Sequence, residues 1–156
     1  MKTKSILAFV FVAILSAGAY WAKQKYDSAL QATSEGLRLG QTYGAMISQS
    51  NCTLGLRLKY TECTTTDCEL SANGYIAGCM EKATRDNFCD SVPAAKNTDL
   101  ALNWASNTCA TLKLGDDRCP KYIHKFVNVC TEQSQGRQLS TQELMENGFN
   151  KGLNKK

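Results

Sequence analysis

The chain has 156 residues, 43% hydrophobic and 21% charged, the balance of a folded protein and not of a disordered one. Eighteen basic residues against fourteen acidic ones give a net charge of +4, and two of the lysines, Lys2 and Lys4, sit ahead of a hydrophobic leader. So small an excess, with no clustered basic face, excludes nucleic acid as the expected partner.

The leader comes first. Residues 1–4 are basic, residues 6–15 are unbroken apolar sequence, and Ala17 and Ala19 supply the small residues of an A-x-A cleavage site. That layout reads as a signal peptide over residues 1–19, with Tyr20 opening the mature chain. The same apolar run also reads as an uncleaved transmembrane anchor over residues 5–22, with Tyr20 and Trp21 as interfacial aromatics and Lys23 and Lys25 beyond them. Both readings place everything that follows outside the cytosol. A lipoprotein is excluded, because Ala19 stands where the lipidated cysteine would be.

Residues 20–50 lack proline and are predicted helical. Ala32, Gly36, Gly40, Gly44 and Ser48 recur every four residues, a ridge of small side chains that would let another helix approach closely. Each glycine costs roughly 1 kcal/mol relative to alanine inside a helix, so packing must compensate.

A cysteine-stapled domain is expected over residues 51–133. Residues 54–60 alternate in a strand-like way, but leucine, arginine and lysine favour helix there. Thr66 with Glu69 reads as a capping box opening a helix from Asp67 to about Arg85. Its inner face would be Cys68, Ala72, Tyr75, Ile76, Cys79 and Ala83, and Asn73-Gly74 is a turn signal inside it. After a loop through Pro93, Asn97 or Thr98 caps a third helix that buries Leu102, Ala105, Cys109 and Leu112 and ends at Gly115. A fourth helix is capped by Asp116 or Asp117, takes Pro120 in its first turn, and buries Cys119, Tyr122, Ile123, Phe126, Val127 and Cys130. Lys121, His124, Lys125 and Asn128 then fall on its solvent face. Residues 134–156 are expected to hold a short helix from Ser140 and a basic tail.

All eight cysteines lie between Cys52 and Cys130, the pattern of a disulfide framework in an exported chain. Folding the chain back across residues 64–67 brings Cys63 to Cys68 and Cys52 to Cys79. A second reversal at Gly115 brings Cys109 to Cys119, which leaves Cys89 for Cys130. Eight cysteines allow 105 pairings, and this is one geometric solution among them. The expected architecture is therefore all-α: an up-down bundle of about four helices, built as two disulfide-stapled αα-hairpins behind the leader.

No constellation of side chains announces chemistry. There is one histidine, His124, no C-x2-C pair for zinc or thiol exchange, and no glycine-rich phosphate loop. No catalytic residue, metal or cofactor is expected. Asp116-Asp117 reads as a turn, and Asn51-Cys52-Thr53 is a glycosylation sequon with a needed cysteine inside it. The expected function is non-enzymatic: an exported or envelope-associated interaction or structural module for a protein partner, with membrane contact through residues 5–22. An alternative is a carrier of a small apolar or lipid ligand, held in a cavity among Tyr75, Trp104, Tyr122 and Phe126. An apolar patch exposed along the glycine ridge would favour the partner protein. Oligomeric state is not legible at this level.

Overall fold

Residues 2–61, 63–114 and 117–137 are described by the structure, a computed structural model, with side chains from Ala13 onward. The described residues form five α-helices: α1 (Lys2–Gly44), α2 (Cys52–Lys59), α3 (Thr66–Lys82), α4 (Thr98–Leu112) and α5 (Cys119–Ser134). Two 3-10 turns, Gln49–Asn51 and Asn87–Ser91, join them. The only strand-type pairing among the described residues is an isolated bridge between Ser48 and Thr84.

The glycines of α1 do not break it, because a second helix fills the space they leave. A Cβ on Gly36 would overlap the carbonyl of Ser71, and one on Gly40 would overlap that of Tyr75. At Gly44 it would lie 2.5 Å from the carbonyl oxygen of Cys79. The arrangement is reciprocal: Gly74 of α3 meets the backbone of Thr33 and Leu37, and Gly78 meets that of Leu37 and Gln41. Gly36, Gly40 and Gly44 each face the residue 35 places further along the chain, so α1 and α3 run in the same direction. Ser28 Oγ donates to Asp67 Oδ2 at 2.9 Å near the start of this seam, and Gln41 Nε2 to Glu81 Oε2 at 3.1 Å near its end.

This seam corrects two expectations. Asn73-Gly74 is no turn, since Gly74 is the residue that lets α3 touch α1. The ridge stops at Gly44, with Ala32 half-buried at its upper end and Ser48 off the helix altogether. Because α3 ends at Lys82, there is nothing left for a longer α1 to pack on. The chain turns instead, and Ile47 and Gln49 bond to Thr84 (Thr84 N to Ile47 O, 2.9 Å; Gln49 N to Thr84 O, 3.1 Å).

Residues 52–59 are helical, not a strand, but α2 is shorter than the cysteine spacing implied. Tyr60 leaves the helix to bury its ring 5.8 Å from that of Tyr75, where its hydroxyl sits 3.0 Å from Ser71 Oγ. Cys63 therefore lies beyond the helix and not on its face. The cap of α3 is Thr65, one residue earlier than the sequence suggested: it is extended, and its Oγ1 accepts from Cys68 N at 3.2 Å.

The inner face of α4 is rotated by one position. Ala101 is fully buried with Ala105, Cys109 and Leu112, while Leu102 is 48% exposed. Ala101, Ala105 and Leu112 lie within about 40° of one another around the helix and centre its buried face, with Cys109 at the edge and Leu102 just beyond it. The helix ends at Lys113, left-handed at φ 55°, with Leu114 N donating to Cys109 O at 3.1 Å; Gly115 and Asp116 lie outside the described residues. Arg118, not Asp117, precedes α5, and Pro120 occupies its first turn. All six residues expected on its inner face are buried. Opposite them Lys121 is exposed, whereas His124, Lys125 and Asn128 are half-buried and not fully solvated. The short helix and tail expected beyond residue 137 lie outside the described residues.

The structure brings together Cys52 with Cys79, Cys63 with Cys68, Cys89 with Cys130, and Cys109 with Cys119, at S–S distances of 2.03, 2.14, 2.02 and 2.07 Å. No cysteine is free, which fits an oxidising compartment outside the cytosol. Tyr75, Tyr122, Phe126, Leu56, Ile76, Met80 and Ile123 are the largest fully buried members of the core.

Candidate functional site

Three features of the surface and its supports stand out. The first is the upper part of α1. Contact with α3 begins only at about Ser28, and every residue from 13 to 27 is exposed. Ile14, Leu15, Tyr20, Trp21 and Tyr26 all project into the surroundings from this stretch. The ammonium of Lys25 lies 5.6 Å from the ring centroid of Trp21, a cation–π contact near the end of the apolar segment. Among the described residues no helix is long and apolar enough to cross a membrane. The side chains of residues 1–12, which make up most of the leader, lie outside that description.

The glycine ridge itself is not a surface. It is sealed against α3, so no apolar patch runs along it. The signal that α3 would be its partner was present in the sequence as Gly74-x3-Gly78, the same four-residue spacing as the ridge.

A second feature holds the joint between α1 and the rest of the domain. Gln49, 1% exposed, donates through Nε2 to Met80 O and to Gln133 Oε1, both at 3.1 Å, so one buried amide links the ends of α3 and α5. Beside it, Asp86 Oδ2 accepts from Ser50 N and Oδ1 from Phe88 N, both at 3.0 Å. Desolvation pushes the Asp86 carboxyl up. The bonds from Ser50, Phe88 and Ser48 outweigh it and hold the group down at about 2. Neither Gln49 nor Asp86 was singled out from sequence, where an isolated amide and an isolated carboxylate look like surface residues.

The third feature is a groove of about 360 Å³ between α4, the Asn87–Ser91 turn and the start of α2. Trp104, Phe88 and Leu112 supply its apolar wall, and Asn107, Thr108 and Thr111 its polar one. Thr53 and Ser91 close the sides. Phe88 holds Trp104 edge-on at 6.3 Å and is itself held edge-on by Phe126 at 5.4 Å. Of the four rings expected around a ligand cavity, only Trp104 lines this groove. Tyr75, Tyr122 and Phe126 are packed into the core.

Tyr75 carries the one unusual polar atom near the seam. Its hydroxyl is buried against Gly55 with no hydrogen-bond partner among the described residues, and its ring lies 6.3 Å from Tyr43. Burial, with smaller contributions from Tyr43 and Tyr60, pushes the phenol far above its ordinary value. A group held so firmly neutral is suited to packing and not to proton transfer. Among the described residues no three His, Cys, Asp or Glu side chains converge as a metal site would require. The chain matches no protein-family model, and comparison with curated proteins and with solved structures finds no match either.

Proposed function

We propose that this chain is a non-enzymatic protein of the cell envelope, in which a disulfide-laced helical bundle is carried on its N-terminal helix as an interaction or structural module for another protein. The observation that carries the anchored part of this reading is the continuity of α1, which passes from the leader into the glycine seam without a break over Lys2–Gly44. The element that would enter the membrane is then the same element on which the domain is built. Continuity favours the uncleaved anchor over residues 5–22 above the cleaved signal, because cutting after Ala19 would sever one helix in mid-course. The exposed Tyr20 and Trp21, followed by Lys23 and Lys25, suit the boundary between hydrocarbon and water.

Cell fractionation with intact-mass measurement tests this. The expected result is a full-length chain that stays with membranes through carbonate and high-salt washing. A soluble chain whose mass lacks residues 1–19 would overturn the anchor. Co-purification from native membranes would then identify the partner, and a chain that elutes alone under every mild extraction would count against the interaction role.

A further inference from the structure

We propose that the groove lined by Trp104 and Phe88 is a binding site for a neutral saccharide. No charged side chain lines it. A charged ligand would find no counter-charge there, so nothing in the lining favours an anion or a cation. A purely apolar ligand fits no better. The Asn107 carboxamide, the Thr108 hydroxyl and the Trp104 indole make no hydrogen bond among the described residues, and an alkyl chain laid over them would bury these groups unsatisfied.

A pyranose ring answers both requirements. One face is made of C–H bonds and packs on an aromatic ring, while its rim carries hydroxyls that both donate and accept. The groove offers matching partners of both kinds. Asn107 and Thr108 have donors to give. Thr53, Ser91 and Thr111 send their own hydroxyl hydrogens to the backbone carbonyls of Ser50, Phe88 and Asn107, at 2.9, 2.7 and 2.9 Å, which leaves their oxygens as oriented acceptors. The volume lies in the range of small-molecule sites and suits about one or two sugar rings.

The walls are also held in place before any ligand arrives. Thr53, Phe88 and Thr108 are each the immediate chain neighbour of a bridged cysteine, namely Cys52, Cys89 and Cys109. Three bridges thus converge on one groove from three separate segments. Such preorganisation lets a ligand bind without first ordering its site. The site does not depend on whether the chain is anchored or cleaved.

The experiment uses the full-length protein in a zwitterionic detergent, since a maltoside detergent would itself be a competing sugar. Trp21 and Trp104 are the only tryptophans, so Trp21→Phe leaves Trp104 as the sole reporter. Maltotriose, cellotriose and tri-N-acetylchitotriose are titrated by fluorescence and by calorimetry, with cyclohexane, uncharged and without hydroxyls, as the apolar comparison. At least one of the three sugars should give a saturable response at a Kd of about 1 mM or tighter. Asn107→Leu should weaken it by about tenfold or more with the melting temperature retained, and Trp104→Ala should abolish the calorimetric signal. No saturation by any of the sugars up to about 10 mM would overturn the proposal. So would cyclohexane binding in their place, or sugar binding that Asn107→Leu leaves unchanged.

Discussion

Residues 13–27 and residues 28–44 belong to one unbroken helix, yet they meet opposite surroundings. Gly18 lies in the first stretch with nothing within 4 Å of the position its Cβ would take. Gly40 lies in the second, where the same atom would sit inside the backbone of Tyr75. The residue type is identical, and the helix is the same. What decides the role of each glycine is whether small residues recur on both partners at the same four-residue spacing. Gly36, Gly40 and Gly44 have Gly74 and Gly78 to answer them, whereas Gly18 is flanked at that spacing by Ile14 and Ala22.

The contrast makes the largest expected effect Gly40→Leu. The obstruction at Gly40 is backbone, which cannot rotate aside, so the two helices must separate. The loss should exceed about 3 kcal/mol, read by denaturant unfolding or as failure to reach the native set of disulfides. Gly40→Leu of near-native stability would show that the seam is not what holds α1 to α3.

Next in size is the bridge at the lower end of the seam. Replacing Cys52 and Cys79 together with serine should lower stability by roughly 2–4 kcal/mol, because that bridge closes a 27-residue span. Cys52→Ser alone should do more damage in practice, since it leaves the Cys79 thiol to attack other bridges. Thiol titration and peptide mapping after unreduced proteolysis separate the two outcomes. If the double variant unfolds at the same denaturant concentration as the parent, the glycine contacts alone hold the helices together.

A smaller effect belongs to the joint at Asp86. Its carboxyl is held below its ordinary value of 3.8, so ionisation favours the folded state. That contribution is complete above about pH 4 and is lost as the pH falls through about 2. The melting temperature of the parent should therefore drop over this interval, and Asp86→Asn should show a flatter profile that starts lower. Equal slopes in the two proteins would remove Asp86 from the account.

The smallest effect expected is Gly18→Ala. With open space around it, the substitution should change the stability of the disulfide domain by less than about 0.5 kcal/mol. A larger shift would mean that the exposed stretch of α1 is coupled to the domain after all.

The helical character of the chain was legible because its strongest signal is periodic. In α5 the apolar residues return every three or four positions, and all six expected on the inner face are buried. Other features depended on contacts that one segment cannot reveal. Asn73-Gly74 looks like a turn until α1 is laid beside it. Leu102 is a better core residue than Ala101 by composition alone, yet α4 turns the alanine inward beside Ala105 and Leu112 and leaves the leucine 48% exposed. Tyr60 ends α2 by finding Tyr75, a tertiary event with no local cue. The groove was the least legible feature of all. Its members come from α2, the Asn87–Ser91 turn and α4, and threonine, serine and asparagine read individually as solvent-facing residues.

A shaft with no joint has an angular consequence. Because α1 runs unbroken from Lys2 to Gly44, about 65 Å, the heading of the disulfide domain is geared to the leader. Adding one residue between Tyr20 and Tyr26 should swing the domain by about 100° around the helix axis while raising it only about 1.5 Å. Adding four should return it to within about 40° of its first heading, about 6 Å higher. If the chain is anchored through residues 5–22 as proposed and the domain must face a fixed direction to meet a partner, binding of that partner should rise and fall with insertion length at the period of the helix turn. A steady decline with length would instead mean that only reach matters.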